Sequence, residues 1–358
     1  MNSRTPHQLL DLTFSGLGDR RLFLKRAATA GLALPVAGLF GNQITHAQDT
    51  TPTAPGEGVG SGGPQEGTGE ATPITSEPAP FVPMDPFLPV VQAGPKQVTL
   101  TAKDATVYIA SEVTYAGWTF NGTIPGSAVR VVAGDEVTVT VRNEGMMAHS
   151  LDTHAAQVPP DIDYPVLQPG EEYTWTFTPN YPGAYMYHCG TPPVLMHIAA
   201  GMYGAMIVDP AEGWSPAQEI CLVQSEFYVT DGPDRVKTPD FAKMMQQYGA
   251  MDYVTFNGYA SQYVEHPIQV RVGEPIRIFV VNAGPNVWSS FHVVGGIFDA
   301  AYVNANPANK LVGLQSISIG PGDGACVELT LTKPGVYPAV NHAFGHAQHG
   351  AIALLQAS

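Results

Sequence analysis

The chain has 358 residues, with 16 Lys and Arg against 31 Asp and Glu, a formal net charge of −15 and only 13% charged residues. Its 38 glycines and 32 prolines rule out a mainly helical architecture, because both residues interrupt helices. The acidic balance argues against a nucleic-acid partner, which needs a basic footprint. Three cysteines are too few for a disulfide scaffold, and this length with 44% hydrophobic residues allows about two domains with real cores.

Residues 1–47 read as an address. Arg20 and Arg21 open the string RRLFLKR, which is followed by a weakly apolar run too short to span a membrane and by Thr45-His46-Ala47 as a cleavage context. The pattern resembles a twin-arginine export signal, which implies a periplasmic or extracytoplasmic location and no membrane span in the mature form. This segment carries a net +3, which leaves −18 for the rest. Residues 48–95 hold no Lys or Arg and are dense in Pro, Gly, Ser and Thr, the composition of a disordered acidic spacer.

From about residue 96 the pattern becomes strands. Alternating runs at 98–101, 107–110, 137–141 and 173–177 are separated by turn residues such as Asn121-Gly122, Gly134-Asp135, Pro169-Gly170 and Pro182-Gly183. The chain then repeats itself. Thr119-Phe120-Asn121-Gly122 recurs as Thr255-Phe256-Asn257-Gly258, and residues 129–143 align without gaps to 268–282. Pro169-Gly170 and Pro182-Gly183 recur as Pro321-Gly322 and Pro334-Gly335. An ordered series of matches predicts two homologous β-sandwich domains, 96–210 and 211–358. A short helix is expected over 239–247.

Nine histidines lie beyond residue 47, and they cluster. Cys189, His197 and Met202 follow the run Tyr185-Met186-Tyr187-His188, and His149 stands on an upstream stretch. Two imidazoles, a thiolate and a thioether make the donor set of a blue-copper centre, since soft sulfur ligands select copper. Neighbouring side chains on a strand point to opposite faces. His188 therefore faces away from Cys189. His149 and His154 are five apart and also face apart, while Asp152 shares the face of His154. This sorting predicts a second metal beside His154, His188 and Asp152, joined to the first through the His188–Cys189 peptide. The second repeat has no Cys at the position of Cys189 but keeps His292 and His342, and parity makes His342 the natural third imidazole. Cys221 and Cys326 lie in apolar strand sequence and read as buried free thiols. His266 reads as exposed, and His346 and His349 as surface residues or supports behind the ligands.

These residues resemble the copper nitrite reductases, an all-β family of two tandem cupredoxin-like Greek-key β-sandwich domains assembled as a homotrimer. The resemblance covers about 96–356 and rests on His149-Ser-Leu-Asp152-Thr-His154, His188-Cys189, His197 and Met202. It implies two coppers per subunit: a type 1 copper on His149, Cys189, His197 and Met202, and a type 2 copper on His154, His188 and, from the adjacent subunit, His342. It further implies Asp152 and His292 as the catalytic acid pair, and Val294 over the substrate, where the family usually has isoleucine. The activity implied is one-electron reduction of nitrite to nitric oxide and water, with an external electron donor, a small cytochrome c or cupredoxin. The loop from Cys189 to His197 is about one residue shorter than in the best-known members.

The main rival is a two-domain multicopper oxidase of laccase-like type. That family holds a trinuclear cluster on eight histidines in four His-x-His pairs, and this sequence has no His-x-His. With two more for a type 1 site the demand is ten, against nine present. A plain electron-carrying cupredoxin accounts for Cys189 but leaves Asp152, His154, His188, His292 and His342 without a role.

Overall fold

The computed structural model describes residues 80–246 and 250–358. The export-signal segment 1–47 and most of the spacer lie outside the described residues.

The first half of the chain supplies β1 (Lys96–Ala110), β2 (Val113–Phe120), β3 (Val129–Val132), β4 (Val137–Asn143), β5 (Asp152–Thr153), β6 (Glu172–Phe177), β7 (Gly183–His188) and β8 (Tyr203–Asp209). One long β1 replaces the two strands expected at 98–101 and 107–110. The linking Ala102–Thr106 has neither Gly nor Pro, so the chain stays extended and changes partner. Lys96–Ala102 runs parallel to β4, and Ala102–Ala110 runs antiparallel to β2. The sheet containing β2-β1-β4-β6 faces the sheet β3-β8-β7-β5 across a core that includes Val131, Val139, Trp175, Tyr187, Cys189 and Met202.

The second half supplies β9 (Gln218–Phe227), β10 (Val229–Asp231), β11 (Lys237–Pro239), β12 (Tyr253–Phe256), β13 (Ile268–Val270), β14 (Pro275–Gly284), β15 (Ser289–Val293), β16 (Ala300–Val303), β17 (Lys310–Leu311), β18 (Ile317–Ile319), β19 (Gly324–Thr330), β20 (Gly335–Asn341) and β21 (Ile352–Ala357). Its two sheets run β12-β9-β14-β19-β16-β17 and β13-β21-β20-β15-β18. Strands β10 and β11 leave this sandwich and extend the first half's sheet on the edge of β2, with Lys237 opposite Tyr115.

The sequence repeat is a structural repeat. Parallel β1 and β4 correspond to parallel β9 and β14, and parallel β3 and β8 to parallel β13 and β21. Both Asn-Gly turns place two residues in the left-handed region, Asn121 and Gly122 at φ 59° and 80°, Asn257 and Gly258 at 55° and 78°. That backbone explains the dipeptide, since Asn and Gly tolerate positive φ best. Asn143 and Asn282, which end the aligned segments, repeat one device. Each side chain accepts from the N–H two residues on and donates to two backbone carbonyls, one of them in the turn that follows its strand.

A third buried cluster joins the two sandwiches, with Tyr115, Met186, Phe227, Phe279, Cys221 and Cys326 among its members. Both cysteines are buried and free. Beside them runs a network of charges in which Arg130 pairs with Asp209 and Glu219, and Arg277 with Glu219 and Glu328. The expected helix at 239–247 spans Phe241–Met245, because the Asp240 side chain accepts from Lys243 N–H and sets its start.

The end of the stretch read as a spacer differs from that reading. Phe87 bridges Ile220, Leu88 N–H donates to Glu219 O at 3.1 Å, Met84 N–H donates to Gln262 Oε1 and Tyr263 Oη–H to Met84 O. The reason is local. Phe81, Phe87 and Leu88 supply apolar contacts that the composition of the whole stretch conceals, and Phe81 stacks on Tyr259 with ring centroids 4.0 Å apart. Among the described residues no helix is long and apolar enough to cross a membrane.

Candidate metal centres

Strand β7 ends at His188, and Cys189 follows with its N–H donated to Met202 O at 3.1 Å. The helix Val194–Ala199 returns His197 to the same place, and His149 is held by paired backbone bonds with Leu167. The result is convergence of three donor atoms. His149 Nδ1 and His197 Nδ1 are 3.2 Å apart, and Cys189 Sγ lies 3.3 Å from His197 Nδ1 and 3.9 Å from His149 Nδ1. All three residues are buried, as is Met202, whose N–H donates to His197 O at 3.0 Å. Burial pushes His149 down to about 4, and burial with the adjacent His149 does the same to His197. Both imidazoles are therefore neutral and able to act as ligands at neutral pH.

The second group lies on the other side of the same peptide. Asp152 stands directly opposite His188 in the β5–β7 ladder, so the two share a face. His188 Nδ1–H donates to Cys189 O at 2.9 Å and His154 Nδ1–H to Gly322 O at 3.1 Å. Each tautomer is fixed by that bond, which leaves both Nε2 atoms as bare lone pairs, and these face each other at 3.2 Å. Asp152 Oδ2 lies 3.8 Å from His188 Nε2. Burial lowers the His188 pKa, against the opposing pull of Cys189 O and Asp152. Two lone pairs aimed at one point repel unless a cation sits between them. The residues therefore fit a metal at both places, and the thiolate in the first set favours copper.

His292 on β15 and His342 just after β20 form a pair of their own, with ring centroids 5.5 Å apart. His292 Nδ1–H donates to the Gln315 carbonyl. Neither joins Asp152, His154 and His188 among the clusters of mutually close ligand atoms in the described residues. Val294 lies just past β15, partly exposed, its N–H donated to Pro338 O. His266 and His349 are exposed, and His346 is half-buried.

Sequence reasoning overlooked the residues that support these atoms. Ser150 N–H points at Cys189 Sγ at 3.4 Å, and its hydroxyl accepts from Gly190 N–H and Thr191 Oγ1–H, both at 3.1 Å. Trp118 covers the first group, its ring 4.9 Å from that of His197 and 5.8 Å from that of His149. Gly322 needed no invention, since Pro321-Gly322 was visible as a repeated turn, yet its contact with His154 spans 168 residues of sequence.

The fold and the two donor sets define a two-domain cupredoxin with paired copper centres. A multicopper oxidase family model matches residues 101–213. The chain is 35% identical over 260 residues to a copper-containing nitrite reductase of Neisseria meningitidis serogroup B, across 70% of this chain and 65% of the relative. It thus spans about two thirds of the length of that curated relative. Among solved structures, a copper nitrite reductase from Nitrosomonas europaea superposes with a TM-score of 0.68 at 40% identity, over 73% of this chain and 93% of the other. A copper-containing nitrite reductase from Thermus scotoductus gives 0.68 at 34% identity, over 74% and 62%. The chain belongs to the copper-containing nitrite reductase family.

Proposed function

We propose that the chain reduces nitrite to nitric oxide and water, taking up one electron and two protons per nitrite. The observation that carries this reading is the arrangement around one peptide bond. Cys189 belongs to a sulfur-containing donor set, its neighbour His188 belongs to an all-imidazole set with a carboxylate beside it, and the covalent path between them is a few bonds long. When bound, copper supplies a one-electron store at the Cys189 set and an electrophilic open position at the imidazole set.

The chain's own residues do the rest. Ser150 N–H and the buried surroundings hold the Cys189 sulfur in a low-dielectric, hydrogen-bonded place. The Gly322 and Cys189 carbonyls fix the two imidazole tautomers. Asp152, a third exposed, can take a proton from solvent and hand it from Oδ2 to a substrate oxygen beside His188. His292, turned by its Nδ1–H bond to the Gln315 carbonyl, accepts a proton from solvent on Nε2 and passes it on as the second proton source. Val294, just past β15 and exposed in the single chain, is assigned to the substrate pocket on the resemblance to the family.

We further assign His342 as the third imidazole, delivered from an adjacent subunit together with His292, and take a homotrimer as the working unit on the resemblance to the family. Support comes from the separation of the two histidine groups within one chain and from the exposure of His342. The N-terminal motif supports export by the twin-arginine route to the periplasm, where a small cytochrome c or cupredoxin would supply electrons. A multicopper oxidase reading has the family model over 101–213 in its favour, but the chain lacks the imidazoles for a trinuclear cluster. Elemental analysis with paramagnetic resonance decides between them. Two coppers per chain, one with a strong visible band and one without, are expected; four would overturn the assignment.

A further inference from the structure

Asn341, the last residue of β20, is fully buried and precedes His342. Its side-chain carbonyl accepts from Ser290 N–H and Ala343 N–H, both at 3.1 Å, which fixes the amide's orientation. Nδ2 then faces Trp288 O at 3.0 Å, Gln224 Oε1 at 3.1 Å and His346 Nδ1 at 2.9 Å. Two hydrogens meet three acceptors, so one bond is shared. His342 N–H donates to Ser290 O at 2.7 Å. This one side chain therefore clamps the start of β15, which carries His292, to the turn that carries His342.

The third acceptor is the unusual one. Trp288 O and Gln224 belong to the body of the sandwich, whereas His346 comes from the short helix Phe344–Gln348 beyond His342. Because Nδ2 can only donate, His346 Nδ1 must accept, with its proton on Nε2. A protonated ring would set N–H against N–H. The environment acts in the same direction: burial, with a contribution from His349, lowers the His346 pKa. The helix Phe344–Gln348 has no side-chain cap at its start, and the His346 bond to Asn341 is a direct side-chain tie between the helix and the clamp.

We propose that His346 is a positioning residue for His342: by accepting from Asn341 it closes the turn 341–346 and holds the His342 imidazole at its spacing from His292. The proposal rests on the reading of His342 as a ligand to the type 2 copper of a neighbouring subunit. It gives a role to a histidine that the donor sets do not use.

The test compares three variants of the holoenzyme. His346→Leu keeps most of the volume and removes the acceptor. His346→Asn restores an acceptor where Nδ1 stood. His342→Ala reports on the underlying reading. Type 2 copper is followed by its paramagnetic resonance signal during challenge with a chelator, and the visible band of the type 1 copper confirms that each variant is folded. His346→Leu should hold type 2 copper about 10- to 100-fold more weakly, the usual effect of losing a support behind a ligand, with the visible band unchanged. His346→Asn should recover most of that loss. If His342→Ala loses type 2 copper while His346→Leu retains it like wild type, the positioning role is overturned and the ligand reading stands. Equal weakening in His346→Leu and His346→Asn also overturns it, because packing rather than the acceptor would then matter. Retention in His342→Ala overturns both.

Discussion

Asp152 and His188 face each other across the β5–β7 ladder, with Asp152 Oδ2 3.8 Å from His188 Nε2. The carboxylate is thus beside the imidazole set without being needed to orient either ring, since Nδ1 of His188 and of His154 are already bonded to Cys189 O and Gly322 O. Asp152→Asn keeps the shape and removes the transferable proton. It should leave both coppers bound and reduce nitrite turnover by about 10²–10⁴, the range of general acid–base catalysis. His292→Ala should fall in the same range, and the double variant should be little worse than the poorer single, because groups acting as a unit are not additive. If Asp152 served only to orient a ligand, its replacement would instead release type 2 copper while turnover per remaining copper stayed near wild type.

Cys189 is the only thiol near the imidazoles of the first group, and Cys221 and Cys326 are buried in the cluster between the sandwiches. Cys189→Ala should abolish the visible band and leave the type 2 resonance signal in place. Cys221→Ala and Cys326→Ala should keep the band. Colour surviving in Cys189→Ala would contradict the donor set.

The division of histidines between two groups has a consequence for mixtures of variants. If the working unit is the proposed homotrimer, the His154→Ala and His342→Ala proteins should each be nearly inactive. Co-assembled from a mixture of subunits, they should regain part of the activity, because some interfaces then pair an intact His154 and His188 with an intact His342. A mixed assembly with no recovery would place His342 in the site of its own chain.

His149 and His197 carry pKa values near 4 in the folded, copper-free chain, against about 6.5 when unfolded. Their folded values are depressed, so the unfolded state binds more protons between these limits and stability falls as the pH drops through that window. Thermal unfolding of copper-free protein should show a declining midpoint from about pH 6.5 to 4. The copper-loaded protein should hold its midpoint to lower pH, since a bound metal resists protonation of its ligands. Equal slopes for the two forms would mean these histidines are not the ligands.

The repeat was legible because it is written in residues with a local backbone reason: Asn-Gly at two left-handed turns, Pro-Gly at others, alternation along strands. The metal groups were legible in their residues more than in their geometry: His149 and His154 lie outside the two-residue β5, so alternation along a strand does not sort them, and it is the β5–β7 register that sets Asp152 opposite His188. Strand lengths were less legible. Nothing between 102 and 106 announces that β1 continues and changes partner there. The supports were not legible at all. Ser150, Trp118 and Gly322 act through contacts with residues far away in sequence, which spacing cannot reveal. The binding of Met84–Leu88 to the second sandwich was masked by a composition that suits a spacer.

Electrons that enter at the Cys189 centre should leave through nitrite as nitric oxide. The most direct measurement is anaerobic turnover with a chemical electron donor, counting nitric oxide released against electrons consumed. One nitric oxide per electron, lost in Cys189→Ala, is the expected result. Oxygen consumption at four electrons per molecule, with no nitric oxide formed from nitrite, would contradict it.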